Sequence, residues 1–358
     1  MMKKLIFPLL FVLGISTHVD AQKPYKAYMV SNTHLDTQWL WTVQTTIDHY
    51  LYRTLTQNFW LIDHYPGYIF NFEGAVRYQW AKEYYPTEYE RLKNYIKAGR
   101  WNISGSSWDS TDPNIPSPES FFRNLLYGQE FFKKEFGKKS NDIFLPDCFG
   151  FGYTLPTIAA HSGIIGFSTQ KLQHRKLPFY GDHKLPFMFG LWEGIDGARI
   201  MAVPHAQDYV SRFDGQELSN NGKLVDLAKN GLNNTVYHYY GAGDRGGSPT
   251  IASVRSVETG MKGEGPVQII SARSGQLFDD YYPFEKHPEL LVFKGELLMD
   301  VHATGCYTSQ AAMKLFNRRN ELLADAAERA SVVAEWLGGA AYPEEPLRES
   351  WQRFLWHQ

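Results

Sequence analysis

The chain has 358 residues, enough to bury a sizeable core and, as a rule of thumb, to form about two domains. Its formal net charge is −2, with basic and acidic residues nearly balanced, so no polyanion-binding surface is predicted and nucleic acid is not expected as a partner. Aromatic residues make up 15% of the chain, and they suit both a core and platforms for sugar rings.

The first 21 residues read as a signal peptide. Lys3 and Lys4 precede the apolar stretch from Leu5 to Ile15, and Val19-Asp20-Ala21 fits a cleavage site before Gln22. Because the apolar stretch is too short to span a bilayer, an uncleaved membrane anchor is the less favoured alternative. We therefore expect an exported protein, periplasmic or secreted, with no membrane contact after cleavage.

Cysteine usage limits the kind of metal site that the chain can form. Cys148 and Cys306 are the only two cysteines and lie far apart in the sequence, which does not make a disulfide framework. Two thiols also exclude a multi-cysteine zinc site and an iron–sulfur cluster. Any bound metal must be held by histidines and carboxylates.

Strand patterns alternate with helical patterns between residues 22 and 298, which predicts an α/β domain with a mostly parallel sheet. The predicted strands are Ala27–Val30, Ile143–Leu145, Arg199–Val203, Thr235–Tyr240, Val267–Ile270 and Leu291–Phe293. The predicted helices are Tyr84–Ala98, Pro118–Phe136, Leu155–Ser162 and Pro249–Lys262. In such folds the active site forms at the carboxyl ends of the strands.

The last part of the chain, residues 299–358, has a helical character. A long amphipathic pattern runs from Gln310 to Leu337 and stops at a Gly-Gly pair, and a second helix is predicted to begin near Pro346. The chain ends inside this second pattern, so we expect the truncated start of a helical domain. Self-association is expected through its exposed apolar residues, Leu347, Trp351, Phe354 and Leu355.

Three acidic residues follow predicted strands, where an α/β active site would lie: Asp36, Asp147 and Asp244. On extended backbone, residues i and i+2 point the same way, so His34 and Asp36 can present an imidazole and a carboxylate to one point. These are plausible halves of a metal site. The alternative is that all of them are ordinary turn and helix-capping residues.

The loop that carries Asp244 also matches a dinucleotide-binding pattern, GxGxxG, from Gly241 to Gly246. The pattern lies late in the chain, places a carboxylate where a pyrophosphate would sit, and ends before the predicted helix at Pro249. Nucleotide binding is therefore disfavoured.

Five stretches together resemble glycoside hydrolase family 38, the zinc-dependent retaining α-mannosidases. They are HLDTQW from residue 34, the segment from Gly99 to Ser120, LPDCFGFGYTLP from residue 145, GAGDRGGSPT from residue 241, and GELLMDVHATGCYTSQ from residue 295 followed by NRRNE. The resemblance covers nearly everything from residue 27 onward. It implies a seven-stranded β/α barrel-like domain followed by the beginning of a helical bundle, acting on terminal α-mannose of a glycan.

The resemblance also implies roles for particular residues. His34, Asp36 and Asp147 would hold zinc, and Asp147 would in addition be the nucleophile. Asp244 corresponds in position to the acid/base carboxylate. Substrate contacts would come from four further residues: Trp39, Phe149, Arg245 and His302. A structural hydrogen-bonding role is an equal alternative for His302, and Arg245 could instead be a salt-bridge partner of Asp244 or simply solvated.

One departure from the family pattern concerns the second histidine ligand, which the family carries just beyond the stretch that matches Phe354–Gln358. A zinc ion would then have three protein ligands at most, which makes the activity of this chain doubtful. Two alternatives stay open: a mannose-binding remnant without turnover, and a metal-dependent carbohydrate deacetylase of similar fold. The deacetylase would require a tight metal triad richer in histidine than this sequence shows.

Overall fold

The computed structural model describes residues 23–174, 185–299 and 304–358, so the predicted signal peptide and His302 lie outside the described residues. The described strands are β1 Tyr25–Thr33, β2 Phe70–Glu73, β3 Trp101–Ser104, β4 Asp142–Phe144, β5 Gly150–Phe151, β6 Gly166–Ser168, β7 Gly190–Glu193, β8 Arg199–Val203, β9 Thr235–Ala242, β10 Val267–Ser271, β11 Val292–Lys294 and β12 Leu297–Leu298. The described helices are α1 Val43–Thr45, α2 Tyr52–His64, α3 Ala75–Tyr84, α4 Pro86–Lys97, α5 Pro118–Phe136, α6 Leu155–His161, α7 Gly222–Lys229, α8 Ile251–Met261, α9 Gln276–Asp280, α10 Ala311–Trp336 and α11 Glu344–Leu355.

Strand β1 is the centre of the first sheet. It pairs in parallel with β9 from Lys26 to Thr33, and on its other side with β10 and then β2, which in turn pairs with β3. Every residue of β1 from Ala27 to Thr33 is buried, as is typical of a parallel strand covered on both faces. The carboxyl ends of β1, β2, β3 and β9 consequently lie at one edge of the sheet.

The second sheet has the order β11-β7-β8-β6-β4, in which β4, β6 and β8 are parallel and β7 is antiparallel to β8. Side-chain and loop hydrogen bonds join it to the first sheet: the Ser104 hydroxyl donates to Asp142 at 3.2 Å, and the Tyr239 amide donates to the Ala206 carbonyl at 2.8 Å. The α/β class with parallel sheets is thus confirmed. A seven-stranded barrel is not confirmed, since no strand ladder closes the two sheets among the described residues.

Local sequence features explain why several helices begin and end where they were predicted. Helix α5 has Ser117 as its N-cap, whose hydroxyl accepts from the Ser120 amide at 3.2 Å, and it stops at Gly137 with φ of +68°. Helix α8 begins two residues later than predicted because Thr250 caps it, accepting from the Ser253 amide at 3.1 Å. Caps act within one turn, so sequence alone predicts such boundaries well.

The C-terminal helices require a correction. In α11, Trp351 and Leu355 are fully buried in the core cluster that also covers β1 and β2, so they do not form the exposed face predicted for them. The Trp351 indole donates to Glu328 at 2.7 Å, and Arg123 of α5 lies over its ring at 4.7 Å. The sequence did not predict that α11 packs against α5, because the two helices lie more than 200 residues apart in the chain.

Exposed apolar side chains lie on α10 instead. Its only buried residue is Glu321, whereas seven large apolar residues along it are more than half exposed: Met313, Phe316, Leu322, Leu323, Val332, Val333 and Trp336. A helical pair is therefore present, but a bundle is not confirmed. None of the helices in the described ranges is long and apolar enough to cross a lipid bilayer.

Candidate functional site

The loops after β1 and β9 are locked to each other by backbone hydrogen bonds. The His34 amide donates to the Ala242 carbonyl at 3.0 Å, and the Asp36 amide donates to the Asp244 carbonyl at 2.8 Å. Leu35 forms an isolated antiparallel bridge with Arg245. Asp244 has φ of +57°, a left-handed conformation that aspartate tolerates better than most residues. The structure thus brings three predicted site residues, His34, Asp36 and Asp244, to one edge of the sheet.

The imidazole of His34 is buried between two carboxylates. Its Nδ1 lies 3.1 Å from Glu73 Oε1, and its Nε2 lies 3.1 Å from Asp36 Oδ1. Burial by itself lowers the pKa of His34, but the Asp36 and Glu73 carboxylates outweigh it and raise this pKa well above its ordinary value. The His34 imidazole and the Asp36 carboxylate thus lie side by side, 3.1 Å apart, and a second carboxylate, that of Glu73, adds negative charge next to the ring.

Asp147 follows β4 and is paired with a cation that was not predicted. The Lys171 ammonium lies 2.7 Å from an Asp147 oxygen and 5.0 Å from the centre of the Phe149 ring. The Lys171 side chain is only 12% exposed, so solvent screens this ion pair weakly. Lys171 thus forms a charge-assisted contact with Asp147, and its ammonium also lies over the Phe149 ring.

Tyr209 joins two of the predicted catalytic residues. Its hydroxyl lies 3.3 Å from Asp147 Oδ1 and 3.0 Å from Asp244 Oδ1, so those two oxygens are no more than about 6.3 Å apart. Burial, followed by the two carboxylates, raises the pKa of Tyr209 well above its ordinary value. Gly243 allows this approach, because a Cβ there would lie 2.1 Å from the tyrosine ring. Sequence reasoning missed Tyr209, since no motif precedes it.

The predicted substrate-binding residues have different surroundings. Trp39 is 60% exposed and meets Trp41 edge to face, with 5.9 Å between ring centres. Arg245 is exposed, and its guanidinium lies 5.4 Å from the centre of the Trp41 ring. Trp39 thus presents a free aromatic face beside the site, whereas Arg245 rests on a neighbouring ring. Substrate contacts by these residues stay predictions.

The donor atoms fit part of the predicted zinc site. An imidazole nitrogen and a carboxylate oxygen that face one point are zinc ligands of the usual type. Asp147 is engaged by Lys171 and Tyr209, and the described part of the chain holds no group of three His, Cys, Asp or Glu side chains able to bind a metal. His34 and Asp36 thus fit two ligand positions.

Three further histidines have neighbours within hydrogen-bond distance among the described residues, and the side chains of two others lie outside the described part. His161 pairs with Asp196 at 2.7 Å on the surface, and His238 is buried and hydrogen-bonded to the Tyr239 carbonyl at 2.6 Å. His205 lies 3.4 Å from the Gln207 side chain. The side chain of His174 and all of His183 lie outside the described part.

Comparison with known proteins gives the chain a family. Residues 24–296 match the family described as "Glycosyl hydrolases family 38 N-terminal domain". Alpha-mannosidase G of Dictyostelium discoideum is 35% identical over 340 residues, which cover 94% of this chain and 30% of that protein. Alpha-mannosidase 2C1 of Homo sapiens is 30% identical over 343 residues, which cover 94% of this chain and 32% of that protein. The chain thus spans about a third of the length of these curated relatives.

A solved structure supports the same fold. The crystal structure of an alpha-mannosidase from Enterococcus faecalis V583 superimposes with a TM-score of 0.71 and 21% sequence identity, covering 92% of this chain and 38% of that one. An identity this low establishes the fold alone. The match over residues 24–296 goes further, and on it the chain belongs to glycosyl hydrolase family 38.

Proposed function

We propose that this chain is the catalytic part of a retaining α-mannosidase that removes terminal α-mannose from a glycan. The observation that carries the proposal is the Tyr209 hydroxyl, which holds oxygens of Asp147 and Asp244 no more than about 6.3 Å apart. Retaining glycosidases place their two carboxyl groups about 5–5.5 Å apart and inverting ones about 6.5–9.5 Å, so this upper limit for one pair of oxygens is compatible with the retaining spacing. The family assignment and the α-mannosidase relatives support the same reaction.

The same geometry supports a division of labour between the two carboxyl groups. The Tyr209 hydroxyl is the donor toward both carboxyl groups, to Asp147 Oδ1 at 3.3 Å and to Asp244 Oδ1 at 3.0 Å, and because it carries one hydrogen the two groups compete for it. The Lys171 ammonium lies 2.7 Å from an Asp147 oxygen, so its positive charge is next to the proposed nucleophile. Asp147 is then ready to attack the anomeric carbon, and Asp244 is ready to protonate the leaving oxygen.

In the second half of the reaction Asp244, now ionised, accepts a proton from the incoming water. That water attacks the anomeric carbon, the bond to Asp147 breaks, and mannose leaves with its original configuration. Lys171 stabilises the Asp147 carboxylate as it is released.

We infer that the cofactor is zinc, held by His34 and Asp36 with Asp147 as the predicted third ligand. The carboxylates around His34 support a divalent cation: among the described residues Asp36 and Glu73 contact the imidazole, and Arg77 pairs with a third carboxylate, that of Asp109. When bound, zinc would polarise and orient sugar hydroxyls. Trp39 and Phe149 then offer apolar faces to the sugar ring, and Arg245 and His302 stay candidates for its hydroxyls.

Hydrolysis of an aryl α-D-mannoside with added zinc tests the proposed activity. Asp147→Ala is expected to lower turnover at least about a thousandfold, whereas Asp226→Ala, at an aspartate on α7 that is 78% exposed, leaves it unchanged. Proton NMR of the first-formed sugar should show the α-anomer. Turnover that survives Asp147→Ala, or a β-anomer as first product, would overturn the mechanism.

A mannose-binding protein without turnover is the second candidate. The absence of a three-residue metal group from the described residues favours it, since an incomplete metal site stabilises the transition state poorly. Mannose binding measured by calorimetry, together with no hydrolysis at any zinc concentration, would select this candidate. The deacetylase hypothesis is dropped, because the chain belongs to a glycoside hydrolase family.

Export and self-association complete the proposal. The basic and apolar residues of 1–21 support cleavage before Gln22 and release from the cytoplasm, and N-terminal sequencing of the mature protein tests this. The exposed apolar side chains of α10 support association of the chain with itself.

A further inference from the structure

A second carboxylate contacts the His34 imidazole at Nδ1, the ring nitrogen that does not face Asp36. It belongs to Glu73, the last residue of β2, whose side chain is completely buried. One Glu73 oxygen lies 3.1 Å from His34 Nδ1, and the other accepts a hydrogen bond from the Ser110 hydroxyl at 2.7 Å. With both oxygens engaged, the Glu73 carboxylate has a defined orientation, and so has the imidazole that it contacts.

The backbone between His34 and Asp36 is held by a buried ion pair. The Arg77 guanidinium donates to the Leu35 carbonyl at 3.0 Å and to Asp109 at 2.7 Å, and both side chains are at most 3% exposed. Asp109 in turn accepts from the Thr37 hydroxyl and from the Ser110 amide. These bonds fix the turn on both sides of Asp36.

Gly74 makes room for this arrangement. It has φ of +77°, and a Cβ at this position would lie 1.8 Å from a guanidinium nitrogen of Arg77. Buried ion pairs usually add little net stability, because desolvation offsets most of the attraction. The Arg77–Asp109 pair is therefore better explained by the position that it imposes on Leu35 than by stability.

The contact that Glu73 makes with Nδ1 determines where the other ring nitrogen of His34, Nε2, points. A carboxylate at Nδ1 accepts the proton of that nitrogen, so Nε2 points at Asp36 Oδ1, 3.1 Å away. Metal-bound histidines commonly donate their other ring N–H to a carboxylate, which fixes the ring and makes it a better ligand. Glu73 occupies the place of that carboxylate.

We propose that Glu73, oriented by Ser110, is a positioning residue. It holds the His34 ring so that Nε2 faces the same point as the Asp36 carboxylate. The inference rests on the proposed role of His34 and Asp36 as zinc ligands. Glu73 itself contacts neither the metal position nor the sugar.

Zinc affinity of the purified full chain, measured by competition with a chromophoric chelator, tests the proposal. Glu73→Gln is expected to weaken zinc binding about 10- to 100-fold. Glu321→Gln is the matched control, because Glu321 is also buried and accepts from a serine hydroxyl, that of Ser120 at 2.8 Å. It is expected to bind zinc like the wild type. Equal affinity of Glu73→Gln and wild type would overturn the proposal.

A milder variant covers the case in which Glu73→Gln does not fold. Ser110→Ala removes only the hydroxyl that orients Glu73, and it should weaken zinc binding severalfold without loss of the fold. Unchanged zinc affinity in this variant would count against the proposal.

Crystal structures of the metal-free protein separate this proposal from the zinc assignment. In Glu73→Ala the His34 ring is expected to turn away from Asp36 or to occupy two conformers, whereas in Glu321→Ala it keeps its position. A wild type that binds no zinc would refute the zinc assignment, and the ring position would still decide the role of Glu73. An unmoved ring in Glu73→Ala would refute the positioning role even if zinc binds.

Discussion

The Tyr209 hydroxyl lies 3.0 Å from a carboxylate oxygen of Asp244, and the same hydroxyl lies 3.3 Å from Asp147. One phenol thus contacts both proposed catalytic carboxyl groups. Because the hydroxyl carries a single hydrogen, it can donate fully to only one of the two groups at a time, so their hydrogen-bonding environments differ.

Tyr209→Phe is accordingly expected to lower kcat about 10- to 100-fold, the loss that follows from removing a hydrogen bond to a charged group. KM for an aryl α-mannoside should change little, since the hydroxyl contacts the carboxyl groups. Tyr84→Phe, at an exposed tyrosine, is the control and should behave as wild type. Unchanged kcat in Tyr209→Phe would contradict the proposed division of roles.

Lys171→Met is expected to lower kcat/KM about 10- to 100-fold, because the ammonium 2.7 Å from Asp147 stabilises the nucleophile's charge. Burial of the pair makes the loss insensitive to salt, which steady-state kinetics at low and high ionic strength would check. The control is Lys229→Met, at a lysine that is 54% exposed on α7. A loss in Lys171→Met that high salt abolishes would point to a surface effect instead.

His238 is expected to make the fold sensitive to acid. Burial lowers the pKa of His238 from 6.5 to about 4, so between these two pH values the unfolded chain binds a proton at His238 and the folded chain does not. Its contribution to stability is present above about pH 6.5 and is lost as the pH falls towards 4, by about 3 kcal/mol in total.

Urea unfolding of wild type and His238→Gln across that pH range measures the effect. The difference in unfolding free energy between the two should shrink as the pH falls, because glutamine does not titrate. His49→Gln, at an exposed histidine, should run parallel to wild type. A constant difference between wild type and His238→Gln would show that the pKa of His238 is the same in the folded and unfolded chains.

The buried position of α11 predicts a large cost for truncating its aromatic anchor. Trp351→Ala is expected to lower the free energy of unfolding by about 3–5 kcal/mol, as for other fully buried aromatics. Trp336→Ala, at a tryptophan on α10 that is 83% exposed, should change it by less than about 0.5 kcal/mol. Similar effects in the two variants, measured by urea denaturation, would mean that α11 does not pack on the core.

Light scattering coupled to size-exclusion chromatography tests the exposed side of α10. We expect dimers or larger species, because several large apolar side chains of this helix are in contact with solvent. Leu323→Glu combined with Trp336→Glu should shift the protein towards monomer, whereas Ile195→Glu, at an exposed residue elsewhere, should not. A wild type that runs as a stable monomer would contradict this expectation.

Local patterns predicted much of the fold. All six strands expected from apolar runs overlap described strands, and Pro118–Phe136 was predicted with its observed bounds. The described strands that escaped prediction are β2, β3, β5, β6, β7 and β12. In β2, the polar residues Asn71 and Glu73 alternate with the buried Phe70 and Phe72. A buried polar residue in a short strand resembles a loop until its partners are known.

The sequence by itself determined which residues come directly after the strands, hence the motif that carries His34 and Asp36 and the positions of Asp147 and Asp244. Spacing along a strand and capping at a helix act over a few residues, so they can be read without the fold. Only the tertiary structure decided that Lys171 and Tyr209 contact Asp147. It also decided that Glu73 contacts His34 and that Trp351 is buried. Those contacts join residues far apart in the chain, and they depend on strand order and helix packing, which no local pattern encodes.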